Sequence, residues 1–147
     1  MFESIVVGTD GSETAQRAVE QAVTLASAVG GRLEIVSAYE PVPGQRLRRE
    51  RQEAPPDETW MLNAREDVEA TLRSAAEVAD AAGVPATTYA RQGDPADAIL
   101  DVAEERRADL IVVGNKGMTG AKRFLLGSVP NRVSHHAPCS VLIIRTV

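Results

Sequence analysis

The chain reads as an α/β protein: a five-stranded parallel sheet, doubly wound, with helices on both faces. Three observations predict it. Strand-like and helix-like patterns alternate along the whole sequence. The strand-like runs are short and dense in Val, Ile and Leu, as strands covered on both faces must be. The junctions carry Gly, Pro, Asp and Ser where helix caps and turns require them.

Taken in order, Ser4-Ile-Val-Val-Gly8 is an apolar run closed by the turn Thr9-Asp10-Gly11. Ser12 caps a helix from about Glu13 to Val29, whose apolar stripe is Ala15, Ala18, Val19, Ala22, Val23, Leu25 and Ala26. Gly30-Gly31 ends that helix, and Arg32-Leu-Glu-Ile-Val-Ser-Ala38 is the second strand. A connection rich in Pro and Arg follows, from Glu40 to about Glu58. Helical periodicity returns from about Thr59 to Ala82 and stops at Gly83. Thr87 to Ala90, with Val84 ahead, is a third and more polar strand. Asp94 caps the next helix, with Pro95 in its first position and Asp97 in its first turn. Ala108-Asp-Leu-Ile-Val-Val113 is the fourth strand, and Ser140-Val-Leu-Ile-Ile-Arg145 the last.

Composition narrows the function classes. At 147 residues the chain suffices for a single domain, 1–147, with a substantial core. A net charge of −5 argues against nucleic acid as the main partner, and 3% aromatic residues argue against a base-stacking platform. No apolar run approaches the roughly 20 residues of a membrane span. Met-Phe-Glu-Ser leads straight into a strand with no leader visible, and Cys139 has no second cysteine to pair with. The expectation is a reduced, cytoplasmic protein.

The most informative segment lies between the fourth strand and the next helix. It runs Gly114-Asn-Lys-Gly117-Met-Thr-Gly-Ala-Lys-Arg-Phe-Leu-Leu-Gly127-Ser128-Val-Pro-Asn. It leads into Val129 to His136, a short helix with Ser128 as its expected cap. Strand, glycine-rich loop and helix N-terminus suit an anion, because bare N–H groups converge there and the helix dipole favours negative charge. The spacing is neither Gly-x-x-x-x-Gly-Lys-Ser/Thr nor Gly-x-Gly-x-x-Gly. It is Gly-x2-Gly-x9-Gly-Ser, and this pattern, placed after a late strand, resembles the nucleotide-binding signature of the universal stress protein family. The resemblance covers nearly the whole chain. It implies the strand order 3-2-1-4-5, which composition does not give. It also implies a stress-response protein that binds an adenine nucleotide, ATP, AMP or cyclic AMP, as a sensor or reservoir.

With that order, a crevice forms where the strand order reverses, between the carboxyl ends of strands one and four. Asp10 and Gly114 lie at those two ends. Asp10 is open to two readings: a turn residue bonding its own backbone, or a carboxylate for ribose hydroxyls. Should a magnesium nucleotide bind, Asp10 would also reach the Mg2+ indirectly. The resemblance implies the nucleotide-contacting role, with Thr9 adding backbone contacts. It further implies that Ala38 presents its backbone to the adenine edge; by itself Ala38 reads as a small core residue. Gly114, Gly117, Gly127, Ser128 and Val129 form the implied phosphate cradle. One position departs from the family pattern: Pro130 stands where many members carry Ser or Thr, and it has neither N–H nor hydroxyl. That predicts a weaker grip on a triphosphate tail and room for AMP or cyclic AMP.

Other polar residues read more plainly. Lys116, Lys122 and Arg123 on the loop, and Arg46, Arg48, Arg49 and Arg51 in the long connection, are solvated cations first, with phosphate neutralisation or a lid as alternatives. His135 and His136 are adjacent on a helix and point about 100° apart, so they do not share a metal ion easily. No nucleophile–base pair is legible, which points to binding before catalysis. A weak Mg-dependent ATPase is the enzymatic alternative, and a nucleotide-independent interaction dimer the other. Val141 to Arg145, apolar on both faces at the implied sheet edge, predicts a homodimer through this strand, as the family commonly forms. Thr146-Val147 is too short to cover that edge.

Overall fold

The computed structural model describes residues 2–39, 60–115 and 126–146. In chain order the elements are β1 (Ser4–Gly8), α1 (Glu13–Val29), β2 (Arg32–Tyr39), α2 (Trp60–Ala81), β3 (Ala86–Gln92), α3 (Pro95–Glu105), β4 (Leu110–Gly114), α4 (Ser128–His136) and β5 (Ser140–Ile144). The five strands form one parallel sheet in the order β3-β2-β1-β4-β5. Fold class and strand order are those expected.

The alternation of side chains along each strand divides the core in two. Ile5, Val7, Leu33, Ile35, Leu110 and Val112 face one way, against Val19, Ala22 and Ala26 of α1 and Leu72, Ala75 and Ala79 of α2. Val6, Val36, Ile111 and Val113 face the other way, against Ile99 and Val102 of α3 and Val129 and Val133 of α4. Burial on both faces is why the central strands are continuous apolar runs. Gly11 serves this packing: it holds a left-handed φ of 81°, and a Cβ there would lie 2.7 Å from Thr71 Oγ1 on α2.

The helix starts follow the sequence. Ser12 Oγ accepts from the Ala15 N–H at 3.2 Å, and Asp94 caps α3 by accepting from the Asp97 N–H at 3.1 Å. The exception is α4. Its cap is Gly127, no side chain caps it, and Ser128 is its first helical residue. Ser128 was expected one position earlier in the helix start. With Gly127 as the cap, no side chain takes up the first N–H groups of the helix.

Charge inside the sheet was not foreseen. Glu34, on β2, is fully buried. Its carboxylate accepts from Tyr89 Oη at 2.7 Å and from Arg32 Nε at 3.2 Å, and Arg106 Nε lies 3.6 Å away. The two edges differ in character. β3 is polar and pinned to α3 by the fork of Arg91 on Glu105, at 3.1 and 2.6 Å. β5 exposes Leu142 and Ile143, each at 38%.

Candidate functional site

The carboxyl ends of β1, β2 and β4 meet at the reversal of strand order, where a parallel sheet leaves a crevice. β1 leaves the sheet after Gly8. The Thr9 N–H still donates to the Val36 carbonyl at 2.9 Å, and Thr9 Oγ1 accepts from the Gly11 N–H at 3.1 Å. Thr9 is therefore buried, with its N–H donated to β2 and its hydroxyl oxygen accepting within the turn. Asp10 is exposed, and Oδ1 accepts from the Ser12 N–H at 2.9 Å. This is the turn reading, but it uses one carboxylate oxygen. Oδ2 takes no part in that turn, so turn and ligand roles are compatible.

The departure of β1 opens one side of β2. Val36 bonds toward β1, whereas the Tyr39 carbonyl accepts from the Gly93 N–H on the β3 side at 2.8 Å. Backbone direction alternates along a strand, so Ala38 points the way Val36 does. Its N–H and C=O face the place that β1 has vacated. Ala38 itself is half-buried. A groove of about 490 Å³ adjoins this end, lined by Gly11, Ser12, Glu13, Gln16, Ala70, Thr71 and Ser74.

Across the crevice, the ends of the glycine-rich loop are fastened together. The Gly127 N–H donates to the Asn115 carbonyl at 3.0 Å, and the Asn115 N–H donates to the Ile144 carbonyl at 2.8 Å. The tip of α4 is thus held beside the carboxyl end of β4. The Asn131 N–H makes the first helical bond, to the Gly127 carbonyl at 3.0 Å. Ser128 and Val129, ahead of it, have no intrahelical acceptor for their N–H groups, and Pro130 has no N–H at all. Gly114 lies beside Thr146, and a Cβ there would meet the Thr146 side chain at 3.4 Å, an ordinary contact distance.

The remaining candidates stay apart from this site. His135 and His136 are exposed, with ring centroids 6.5 Å apart and planes tilted by 53°. Among the described residues, no group of three or more His, Cys, Asp or Glu could hold a metal ion. Burial and the Asp109 carboxylate raise the Cys139 thiol above its ordinary pKa, which disfavours the thiolate. Also among the described residues, no helix is long and apolar enough to cross a membrane. Gly117, Lys116, Lys122, Arg123 and the arginines Arg46, Arg48, Arg49 and Arg51 lie outside the described residues.

Comparison with known proteins decides the lineage. The universal stress protein family profile matches residues 1–145. The chain belongs to the universal stress protein family. A universal stress protein of Mycobacterium tuberculosis (strain H37Rv) is 38% identical across 99% of this chain and 97% of its own length. Another, from Thermus aquaticus, is 39% identical across 99% of this chain and all of its own. A crystal structure of a universal stress protein in complex with cAMP superposes with a TM-score of 0.73, at 35% identity, covering 99% of this chain and 98% of that one.

Three residues at the site escape sequence reasoning: Asn115, Thr146 and Arg17. Thr146 is buried, its N–H and Oγ1 both donate to Asn115 Oδ1 at 2.9 and 3.2 Å, and Arg17 Nη1 donates to the Thr146 carbonyl at 2.8 Å. No local signal marks them, since an Asn after a strand-ending glycine reads as an ordinary turn.

Proposed function

We propose that this universal stress protein binds an adenine nucleotide in the crevice between β1 and β4, and acts as a stress-response sensor or reservoir. The base lies against β2, bonded to the N–H and C=O of Ala38. Asp10 takes the ribose hydroxyls through Oδ2, with the Thr9 carbonyl beside it. The phosphates sit on Gly114, Gly117, Gly127, Ser128 and Val129, at the positive end of the α4 dipole. The observation that carries this reading is the bond from the Gly127 N–H to the Asn115 carbonyl at 3.0 Å. It ties the open helix tip to the carboxyl end of β4, the strand paired with β1. The cAMP complex of a relative 35% identical supports the same ligand class. Any Mg2+ would arrive with the phosphates, since among the described residues no group of three or more His, Cys, Asp or Glu could hold a metal ion. Two copies pair through β5, covering Leu142 and Ile143.

Pro130 limits the cradle to the amides of Ser128 and Val129 in the first turn of α4, which favours AMP or cyclic AMP over ATP. Mass spectrometry of the small molecule released on denaturing the purified protein tests the ligand class. Calorimetry then tests the site. Replacing Asp10→Ala removes a charge-assisted hydrogen bond worth about 1.5–3 kcal/mol, so affinity should fall roughly ten- to hundredfold. Undiminished binding by that variant would remove Asp10 from the site.

A further inference from the structure

The hydrogen bonds around Asn115 connect three things that the sequence separates widely: the glycine-rich loop, the end of β5 and helix α1. Asn115 uses its carbonyl for the Gly127 N–H, its N–H for the Ile144 carbonyl, and its Oδ1 for both donors of Thr146. The amide orientation follows from chemistry. A backbone N–H can only donate, so the atom facing Thr146 N must be the oxygen. Thr146 is held in turn by Arg17, and its side chain lies beside Gly114, where a Cβ would be in van der Waals contact with it at 3.4 Å.

We infer that Asn115 and Thr146 form a clasp that sets the distance between Gly114 and the helix-tip amides of Ser128 and Val129. The clasp makes the last residues of the chain a determinant of phosphate binding. Both are positioning residues: they hold the two ends of the loop, and neither has to touch the ligand. This rests on the nucleotide reading above. It adds a consequence that the glycine pattern does not contain. The same clasp grips Ile144, the last residue of β5, so occupancy of the phosphate site and order at the β5 edge share one set of bonds. A ligand that stabilises the clasped arrangement must, by linkage, also stabilise that strand end.

The test compares wild type with Asn115→Ala and Thr146→Val. Affinities for AMP and for adenosine are measured by calorimetry, and amide hydrogen exchange is followed at Gly127, Thr146 and Gly93. Gly93 bonds to Tyr39 on the far side of the sheet and serves as the control. Losing Oδ1 should weaken AMP binding about tenfold, leave adenosine within about twofold, and speed exchange at Gly127 and Thr146 but not at Gly93. Thr146→Val keeps the shape and the N–H, and should weaken AMP about two- to fivefold. Equal losses for AMP and adenosine would reduce the clasp to general stability and overturn the inference. So would unchanged exchange at Gly127. Wild type that binds neither compound would defeat the nucleotide reading, and the exchange data would still judge the clasp. Should Asn115→Ala fail to fold, Thr146→Val decides the matter on the same three readouts.

Discussion

In the amino-terminal half of β2 Glu34 is fully buried, and its charge is answered by Tyr89, Arg32 and Arg106 from within the chain. At the carboxyl ends the polarity is arranged the other way: the α4 tip, the Ala38 backbone and Asp10 Oδ2 face outward. Both ends are polar, and both lie on the same sheet. The difference is whether each group's partner lies in the protein. A buried carboxylate must be paired to be tolerated at all, so its network is closed and serves the fold. Amides at an exposed helix tip cost little while water covers them, so they can be left for a ligand.

The largest effect that would break this contrast is at the closed end. Glu34→Ala removes the acceptor of Tyr89 and Arg32 and leaves a gap between the sheet and α3. Arg32 and Arg106 are 49% and 46% exposed and return to water, which spares the full penalty of a stranded buried charge. The expected loss is about 2–4 kcal/mol of stability, read from urea unfolding midpoints. Nucleotide affinity should stay within about twofold. A variant as stable as wild type would mean that the network at this end contributes nothing, and a large change in affinity would mean that the two ends are not separate.

The same contrast explains what could be read from the sequence. The central strands were legible because burial on both faces forces apolar runs, as at Ile5 to Val7 and Leu110 to Val113. Ser12 and Asp94 were legible as caps because the chemistry is local, within three residues. The glycines and Asp10 were legible as a site only together, through their spacing and the family resemblance. Glu34 was not, since its partners Tyr89 and Arg106 are remote in sequence and meet it only in the fold. The clasp failed for the same reason: Asn115 meets Thr146 and Arg17 only after the sheet has formed. Ser128 was misplaced by one position because Gly127 is a good cap as well as a good loop glycine.

A smaller change sharpens the comparison at the open end. Pro130 is buried, third in α4, at a position whose N–H would have no intrahelical acceptor. Pro130→Ser restores an N–H and adds a hydroxyl at the helix tip. ATP affinity should rise about three- to tenfold by calorimetry, AMP should gain less, and adenosine should gain nothing. The substitution gives up the rigid start that proline provides, a cost of about 0.4–1 kcal/mol in stability. A gain shared equally by adenosine would show that the effect lies elsewhere than on the phosphates.

The smallest effect returns to the closed end and depends on pH. Burial holds the Tyr89 phenol above its ordinary pKa. The hydrogen bond it donates to Glu34 and the Glu34 charge add to this, while Arg106 and Arg91 oppose it. Arg91 lies over the ring, 5.5 Å from its centre. Because the folded pKa is the higher one, this group's contribution to stability is fully present below the unfolded value of about 10 and is lost as pH rises through the folded value. Wild type should therefore lose stability above about pH 10 more steeply than Tyr89→Phe, which has no phenol to ionise. Comparing the two proteins cancels the other groups that titrate in the same range. Glu34→Gln, which removes the charge and keeps the burial, should bring the tyrosinate absorbance transition of Tyr89 partway back toward the ordinary range. If the two pH profiles coincide, the phenol is not coupled to Glu34, and the closed network at this end is reduced to its arginine contacts.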